Sequence, residues 1–414
     1  MIRRRHIIYV EGYDPQGAEG YYGLFEYSWR RFLKVWPLKT RLSPLKIDSQ
    51  DFAHWDVEAS GPNWQVATRY EFLRQEHIIR ANMAEPLLRQ IPRALAWAFD
   101  YVVSGAIFRV LRASWQFGLA LIHFQLQLLW WLALPVLAGW LAGAIAAHLS
   151  LSTIVGIVIA VLTAAAVFAA LRLLAKRWFV IQINSHWPYL CEFARGEPGC
   201  FDAPIEAGAQ RLVTIARESD ADEIVVVGHS GGGVIAPAVV ARALELDPEV
   251  GRRGPPIVLL TLGSIAPGAA LHPRATKLRA IFARLAVEPS ITWIDAQSRK
   301  DSLNFWNFDP VAGIGIKIER GRCNPFVWEV RFRDVLSDEM YRRIRFNLFR
   351  LHYQFIMAVD RRRASRMAFD YFILIAGPLP VATFAKDPLH ALAAFGEDAA
   401  FAGTEISAPA PASP

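Results

Sequence analysis

Apolar positions along this chain follow three rhythms. Short runs of β-branched and aromatic residues, each closed by glycine, proline or other turn formers, occur at His6–Val10, Lys46–Asp48, Phe52–Ala59, Trp64–Ala67, Pro256–Gly263, Ile291–Ala296 and Phe326–Phe332. They predict strands, as does Trp178–Asn184. The second rhythm is helical spacing, at Tyr21–Trp36, from near Arg69, at Ile205–Glu218, at Ala275–Ala286 and along Asp338–Met357. Alternating strands and helices predict an α/β fold with a mostly parallel sheet covered by helices.

The third rhythm is an absence. From Ala113 to Leu171 there is no Asp, Glu, Lys or Arg. That run accommodates two spans of about 20 residues each. They are expected near Leu126–Ala147 and Leu151–Leu171, with a turn at His148-Leu149-Ser150. Arg109 and Arg112 precede the hairpin; Arg172, Lys176 and Arg177 follow it. The turn carries no formal charge, so the positive-inside rule puts both basic ends in the cytoplasm. The expectation is a two-span protein of the inner, cytoplasmic membrane with its sheet domain on the cytoplasmic side. Residues 76–112 mix arginines with Trp97, Phe99, Tyr101 and Phe108 on helical spacing, which suits a membrane surface. Arg361–Arg363, Arg366 and the apolar Phe369–Phe384 suggest a second surface-seeking segment, and Ala408–Pro414 a disordered tail. The expected division is therefore 1–112, an N-terminal part with membrane-surface helices; 113–175, the transmembrane hairpin; 176–360, the main part; and 361–414, a membrane-proximal segment and tail.

The chemistry concentrates in Glu223–Leu246. The strand-like Ile224–Val227 stops at Gly228-His229-Ser230-Gly231-Gly232-Gly233 and passes into a helical pattern. A serine on so tight a turn needs glycine neighbours, because a Cβ there meets the strand or the helix. The turn lifts Oγ clear of the backbone at the positive end of the next helix. With Gly-His-Ser-Gly-Gly in this strand–turn–helix context, the chain resembles the lipase and esterase branches of the α/β-hydrolase superfamily.

That resemblance implies an α/β-hydrolase fold interrupted by the membrane hairpin, and a Ser-acid-His triad in that chain order. Ser230 becomes the nucleophile. His352, past the last predicted strand, is preferred as base over His272 and His390. The acid is expected a few residues beyond Ile291–Ala296, at Asp301, with Asp309 of the Asp309-Pro310 turn as the alternative. Asp295 lies within the strand, and His229 beside the nucleophile is given no role as base. The resemblance places the oxyanion hole at the N–H groups of Gly231 and Tyr13, although the chain has Glu11-Gly12 where such hydrolases often have His-Gly. The implied activity is cleavage of carboxylic, lipid-type esters. The open alternatives are a thioester or peptide substrate on the same triad, and a catalytically inactive hydrolase fold serving as a membrane scaffold.

Composition changes little of this. Over 414 residues, 53% are hydrophobic, in keeping with membrane segments. The net charge of +7 comes largely from the arginine clusters, and no nucleic-acid motif accompanies it. Cys191, Cys200 and Cys323 have no metal-ligand spacing and read as reduced thiols. Asp51, His54 and Asp56 do not share one strand face, so a solvated edge is expected there rather than a metal set. No metal or organic cofactor is implied. The expected partners are the bilayer and a lipid or small acyl ester.

Overall fold

The computed structural model describes residues 1–177, 180–396 and 398–401. It is an α/β protein that separates into two compact units. One comprises 1–77, 200–267 and 277–414; the other comprises 78–199 and 268–276.

The first unit is built on one nine-stranded sheet. Its strands are β1 (Arg4–Val10), β2 (Lys39–Leu42), β3 (Lys46–Ile47), β4 (Phe52–Ser60), β5 (Gln65–Leu73), β6 (Glu223–His229), β7 (Ile257–Leu262), β8 (Ile291–Ser298) and β9 (Phe326–Val330). Their order is β2-β4-β5-β1-β6-β7-β8-β9, with β3 paired to β4. Strands β5 to β9 run parallel through β1. Strands β2, β3 and β5 pair antiparallel with β4. Every residue of β1 after Arg4, and all of β6 and β7, is buried, as strands covered on both faces require.

Three expectations for this unit change. The helix expected near Arg69 is the second half of β5, where Val66, Thr68, Tyr70 and Phe72 alternate into the core; the helix starts at Glu76. The long helix expected over Asp338–Met357 is instead three short pieces, Asp338–Ile344, Leu348–His352 and a 3-10 turn at Tyr353–Ile356. Asn347 breaks it by capping the next piece, accepting from the Arg350 N–H at 2.9 Å.

The third concerns Phe369–Phe384. This segment is core: all of Tyr371–Ala376 is buried. Buried Arg5 explains the difference. It pairs with Glu223 at 2.9 Å and donates to the carbonyls of Ile375, Gly377 and Leu379. Glu223 in turn accepts from the Val381 N–H at 2.9 Å. A buried ion pair is tolerated when its remaining hydrogen-bonding capacity is filled, and here this chain segment fills it. The expected tail at Ala408–Pro414 lies outside the described residues.

The second unit is helical. Trp178 and Phe179 lie outside the described residues, but the strand expected over Trp178–Asn184 is helical from Val180 on, within Val180–Arg195. That helix pairs Arg93 with Glu192 and Arg195 with Asp100. Helices Leu87–Val103 and Ala106–Ala113 meet at a 73° bend. The apolar pair Trp115–His148 and Thr153–Leu173 is long and apolar enough to cross a membrane. Ser150, in the turn between them, has φ 55°. The longer helix spans about 50 Å at 1.5 Å per residue, more than a bilayer core of about 30 Å. One face of its first half is used inside the unit, where Phe117, Leu121, Phe124, Leu128 and Trp131 are buried, whereas Leu119, Leu126 and Trp130 of that half and Val136, Leu137, Trp140 and Leu141 beyond it are exposed. Gly139 lets the two helices approach, since a Cβ there would stand 2.7 Å from the Ala160 carbonyl oxygen.

Candidate active site

Ser230, Gly231, Tyr13, Asp301, Asp309 and His352 all belong to the sheet unit, and Ser230 and Gly231 follow the C-terminal end of β6, Tyr13 that of β1 and Asp301 that of β8. That edge is where open α/β sheets take ligands. β6 ends at His229, and the helix Gly232–Leu246 begins three residues later. Between them Ser230 adopts φ 58°, a left-handed conformation rare for a residue with a Cβ. From Glu223 to Ala241 every residue is buried except Ser230, which is half-exposed.

The surrounding glycines are steric requirements. A Cβ on Gly232 would lie 2.2 Å from the Val10 carbonyl oxygen, and one on Gly228 would lie 2.4 Å from that of Gly232. Gly12 brings the loop after β1 against the serine: its own Cβ position is 3.2 Å from Ser230 Cβ and 3.3 Å from Gly231 N. The N–H of Ser230 donates to the Leu262 carbonyl at 3.0 Å, tying the turn to the end of β7.

His352 and Asp301 are brought together. Both are buried, and His352 Nδ1 lies 2.7 Å from Asp301 Oδ2. The other carboxylate oxygen, Oδ1, accepts from the Leu303 N–H at 2.9 Å. Asn304 closes this turn by donating to the carbonyls of Ser298 and Asp301. His352 Nε2 is buried without a hydrogen-bond partner among the described residues. Its ring lies beside the elbow. The His229 ring centroid is 4.9 Å away, and the Cβ position of Gly263, the residue after Leu262, is 3.1 Å from His352 Cε1. Gly263 has φ 53°, and its Cβ position is 2.8 Å from the Phe355 ring, so both the backbone and this ring demand glycine there.

The other candidates sit elsewhere. Asp309 pairs with Arg322 and accepts from the N–H groups of Val311 and Ala312. Burial pushes its pKa up, but these partners outweigh it and leave the carboxyl more acidic than usual. His390 is exposed and pairs with Asp387, three residues before it; His272 belongs to the second unit and lies 3.1 Å from Asp100. Asp295 is buried between Thr261 and Gln297, and burial lifts its pKa to about 6 against those two hydrogen bonds. Burial, with His352 adjacent, pulls the His229 pKa well below the usual range. Neutral His229 approaches the His352 carbonyl at 3.3 Å through Nε2. Tyr13 is buried in the Gly12 loop. The solvated edge expected at Asp51, His54 and Asp56 falls instead at β4, a strand flanked on both sides, where buried His54 pairs with Asp48 and Asp56 with Arg69. No cluster suited to a metal ion occurs among the described residues.

Sequence reading missed three supporting residues. Gly263 and Asn304 carry no motif, although an aspartate with an asparagine three residues on is a turn signal. The third is Tyr353, whose hydroxyl donates to Asp14 Oδ2 and so joins the His352 segment to the Gly12 loop. An imidazole whose Nδ1 is held by a carboxylate has a fixed tautomer, and its Nε2 can take a proton. A serine on a strained strand-to-helix turn has an accessible Oγ. Comparison of the chain with family models, with curated proteins and with solved structures returns no match.

Proposed function

We propose that this protein is a membrane-anchored serine hydrolase of the α/β-hydrolase kind that cleaves carboxylic, lipid-type esters. The observation that carries the reading is the buried Asp301–His352 pair, its Nε2 unpartnered, packed against the turn that holds Ser230 at positive φ. In this reading His352 Nε2 removes the Ser230 proton as Oγ attacks the ester carbonyl, then delivers it to the departing alcohol. Water, activated by the same nitrogen, releases the acid from the acyl-serine. Asp301 holds the imidazole in the tautomer that leaves Nε2 as acceptor and stabilises the imidazolium. The N–H groups of Gly231 and Tyr13 hold the oxyanion, with Gly12 bringing the two loops together. The triad calls for no metal or organic cofactor.

The two apolar helices support an anchor in the bilayer, and the basic residues flanking them support a cytoplasmic sheet unit. The substrate is then an ester met at the inner membrane face. Labelling of the purified full-length protein with a fluorophosphonate tests the chemistry. Modification at Ser230, abolished by Ser230→Ala, is the expected result. A well-folded protein that does not label at Ser230 is instead a catalytically inactive scaffold.

A further inference from the structure

Beyond the serine, the same sheet edge holds a concave site at the ends of β8 and β9. Ser298 ends β8 and Val330 ends β9; the two are register partners, and both line a cavity of about 470 Å³. Its charged lining is Arg299, Lys300, Arg331 and Arg333 against the one carboxylate of Glu329. A cavity of this size suits a small organic ligand.

The cations are poorly neutralised. Arg331 has a loose contact of 3.6 Å with Asp334. Among the described residues no ion pair joins Arg299, Lys300 or Arg333 to a carboxylate. Two of the guanidinium groups rest on aromatic rings that also line the cavity, Arg299 on Trp306 at 5.3 Å and Arg333 on Tyr341 at 6.0 Å. Stacking of this kind positions the planar fork while leaving its N–H groups free. Four solvent-exposed cations lining one cavity match a phosphate group, which accepts paired N–H bonds at two oxygens. Phe332 and Met367 add apolar lining for whatever carries that phosphate.

We propose that this cavity binds the phosphate group of a phosphate-bearing ester and thereby selects the substrate of the Ser230 site. The substrate half rests on the hydrolase reading. The connection is covalent and short: Arg299 and Lys300 immediately precede Asp301, the partner of His352. The cavity is two to three strands from β6, or roughly 10–15 Å at about 4.8 Å per strand. An ester with its charged end in the cavity spans that distance to Ser230 with an extended linker of roughly ten bonds.

The test is isothermal titration of the full-length protein in neutral detergent with inorganic pyrophosphate, for wild type and Arg299→Gln/Arg333→Gln. Wild type should bind, and the double variant should bind about tenfold or more weakly, the loss of a charge-assisted contact. No binding by wild type, or equal affinity in the two proteins, overturns the site. Competition then identifies the phosphate's source: displacement by nanodiscs containing phosphatidic acid but not phosphatidylcholine alone assigns a lipid headgroup, and displacement by glycerol phosphate alone assigns a soluble ester. For a matched pair of esters with and without a phosphate, the ratio of their kcat/KM values should fall about tenfold in the double variant. An unchanged ratio in an active enzyme removes the selecting role. Pyrophosphate binding that the double variant weakens, in a protein that hydrolyses neither ester, leaves the cavity standing and overturns the hydrolase reading.

Discussion

Two apolar helices of this chain have opposite fates. Gly232–Leu246 begins at the serine turn and is buried almost throughout, with Val234, Val239 and Val240 wholly inaccessible. Thr153–Leu173 is apolar over a longer stretch, with a mean hydropathy of 2.8, and none of that stretch is buried. The first packs against β6, β7 and the helix Asp202–Glu218; the second lies along Trp115–His148, touches Val180–Arg195 only slightly, and leaves the rest of its circumference open. Hydrophobicity alone therefore does not place a segment inside a protein. What decides is whether the chain supplies enough apolar surface to surround it, and where it does not, lipid is the solvent that leaves the exposed side chains at no cost.

If the candidate chemistry belongs wholly to the surrounded region, its largest expected effect is on the two carboxylates that sequence left open. Asp301→Asn should reduce ester turnover about 10⁴-fold by losing the tautomer that His352 needs. Asp309→Asn should leave turnover within a few-fold and reduce stability through the lost Arg322 pair. Steady-state kinetics on the two variants decide; the reverse order would move the role to Asp309, and small losses in both would end the triad model.

How far this was readable beforehand follows from how local each signal is. The serine turn lies within one short stretch, and its glycines are demanded by neighbours a few residues away. The hairpin is legible for a similar reason, since charge is absent along the whole run. The Asp301–His352 pair is separated by 51 residues, so only the chain order of the resembled family narrowed it to two carboxylates, of which the structure places Asp301 beside His352. The C-terminal segment misled because its environment is set by Arg5 and Glu223, far away in sequence. Arginines beside an apolar stretch look like a membrane surface when the buried ion pair that holds the stretch is out of view. The stretch after Trp178 misled differently, because apolar β-branched residues suit a helix as well as a strand when a helical unit surrounds them.

The contrast between the helices is sharpened by making one substitution in both. Val239→Asp buries an unpaired carboxylate in the sheet unit and should destabilise it by about 4 kcal/mol or more, seen as loss of its cooperative thermal transition in detergent. Val158 is half-exposed, and Val158→Asp should leave that transition unchanged. Its cost, about 3 kcal/mol at a bilayer centre, should appear instead as easier extraction from membranes by carbonate. A Val158→Asp protein as firmly retained as wild type would mean that this face does not meet lipid.

Glycines give a smaller version of the same test. Gly232→Ala drives a methyl into the Val10 carbonyl, and the backbone there cannot yield, so a loss of about 2–3 kcal/mol is expected. In the hairpin, the Cβ position of Gly156 meets nothing closer than 3.7 Å. Gly156→Ala should be neutral or stabilise its helix by up to about 1 kcal/mol. Paired denaturation curves of the two variants check both values.

The smallest effect concerns pH, because the hairpin has no carboxylate to titrate while the sheet unit has Glu71. Burial raises the Glu71 pKa, but hydrogen bonds and charge from Arg211 and His6 outweigh it and bring the value down to about 2, below the ordinary 4.5. Between those values the unfolded chain holds the proton and the folded chain does not, so stability rises with pH through this window. The contribution is complete above about 4.5 and lost as pH falls toward 2. Because the Arg211 side chain is about a third exposed, screening reduces it to on the order of 2 kcal/mol. Glu71→Gln should therefore lower the sheet unit's stability by that amount at pH 6 and converge with wild type near pH 2. Chemical denaturation followed across this range measures both limbs, with far-ultraviolet dichroism reporting a detergent-bound hairpin helix that persists at every pH. A wild-type to variant difference that stays constant from pH 6 to pH 2 would show that Glu71 contributes packing and not charge.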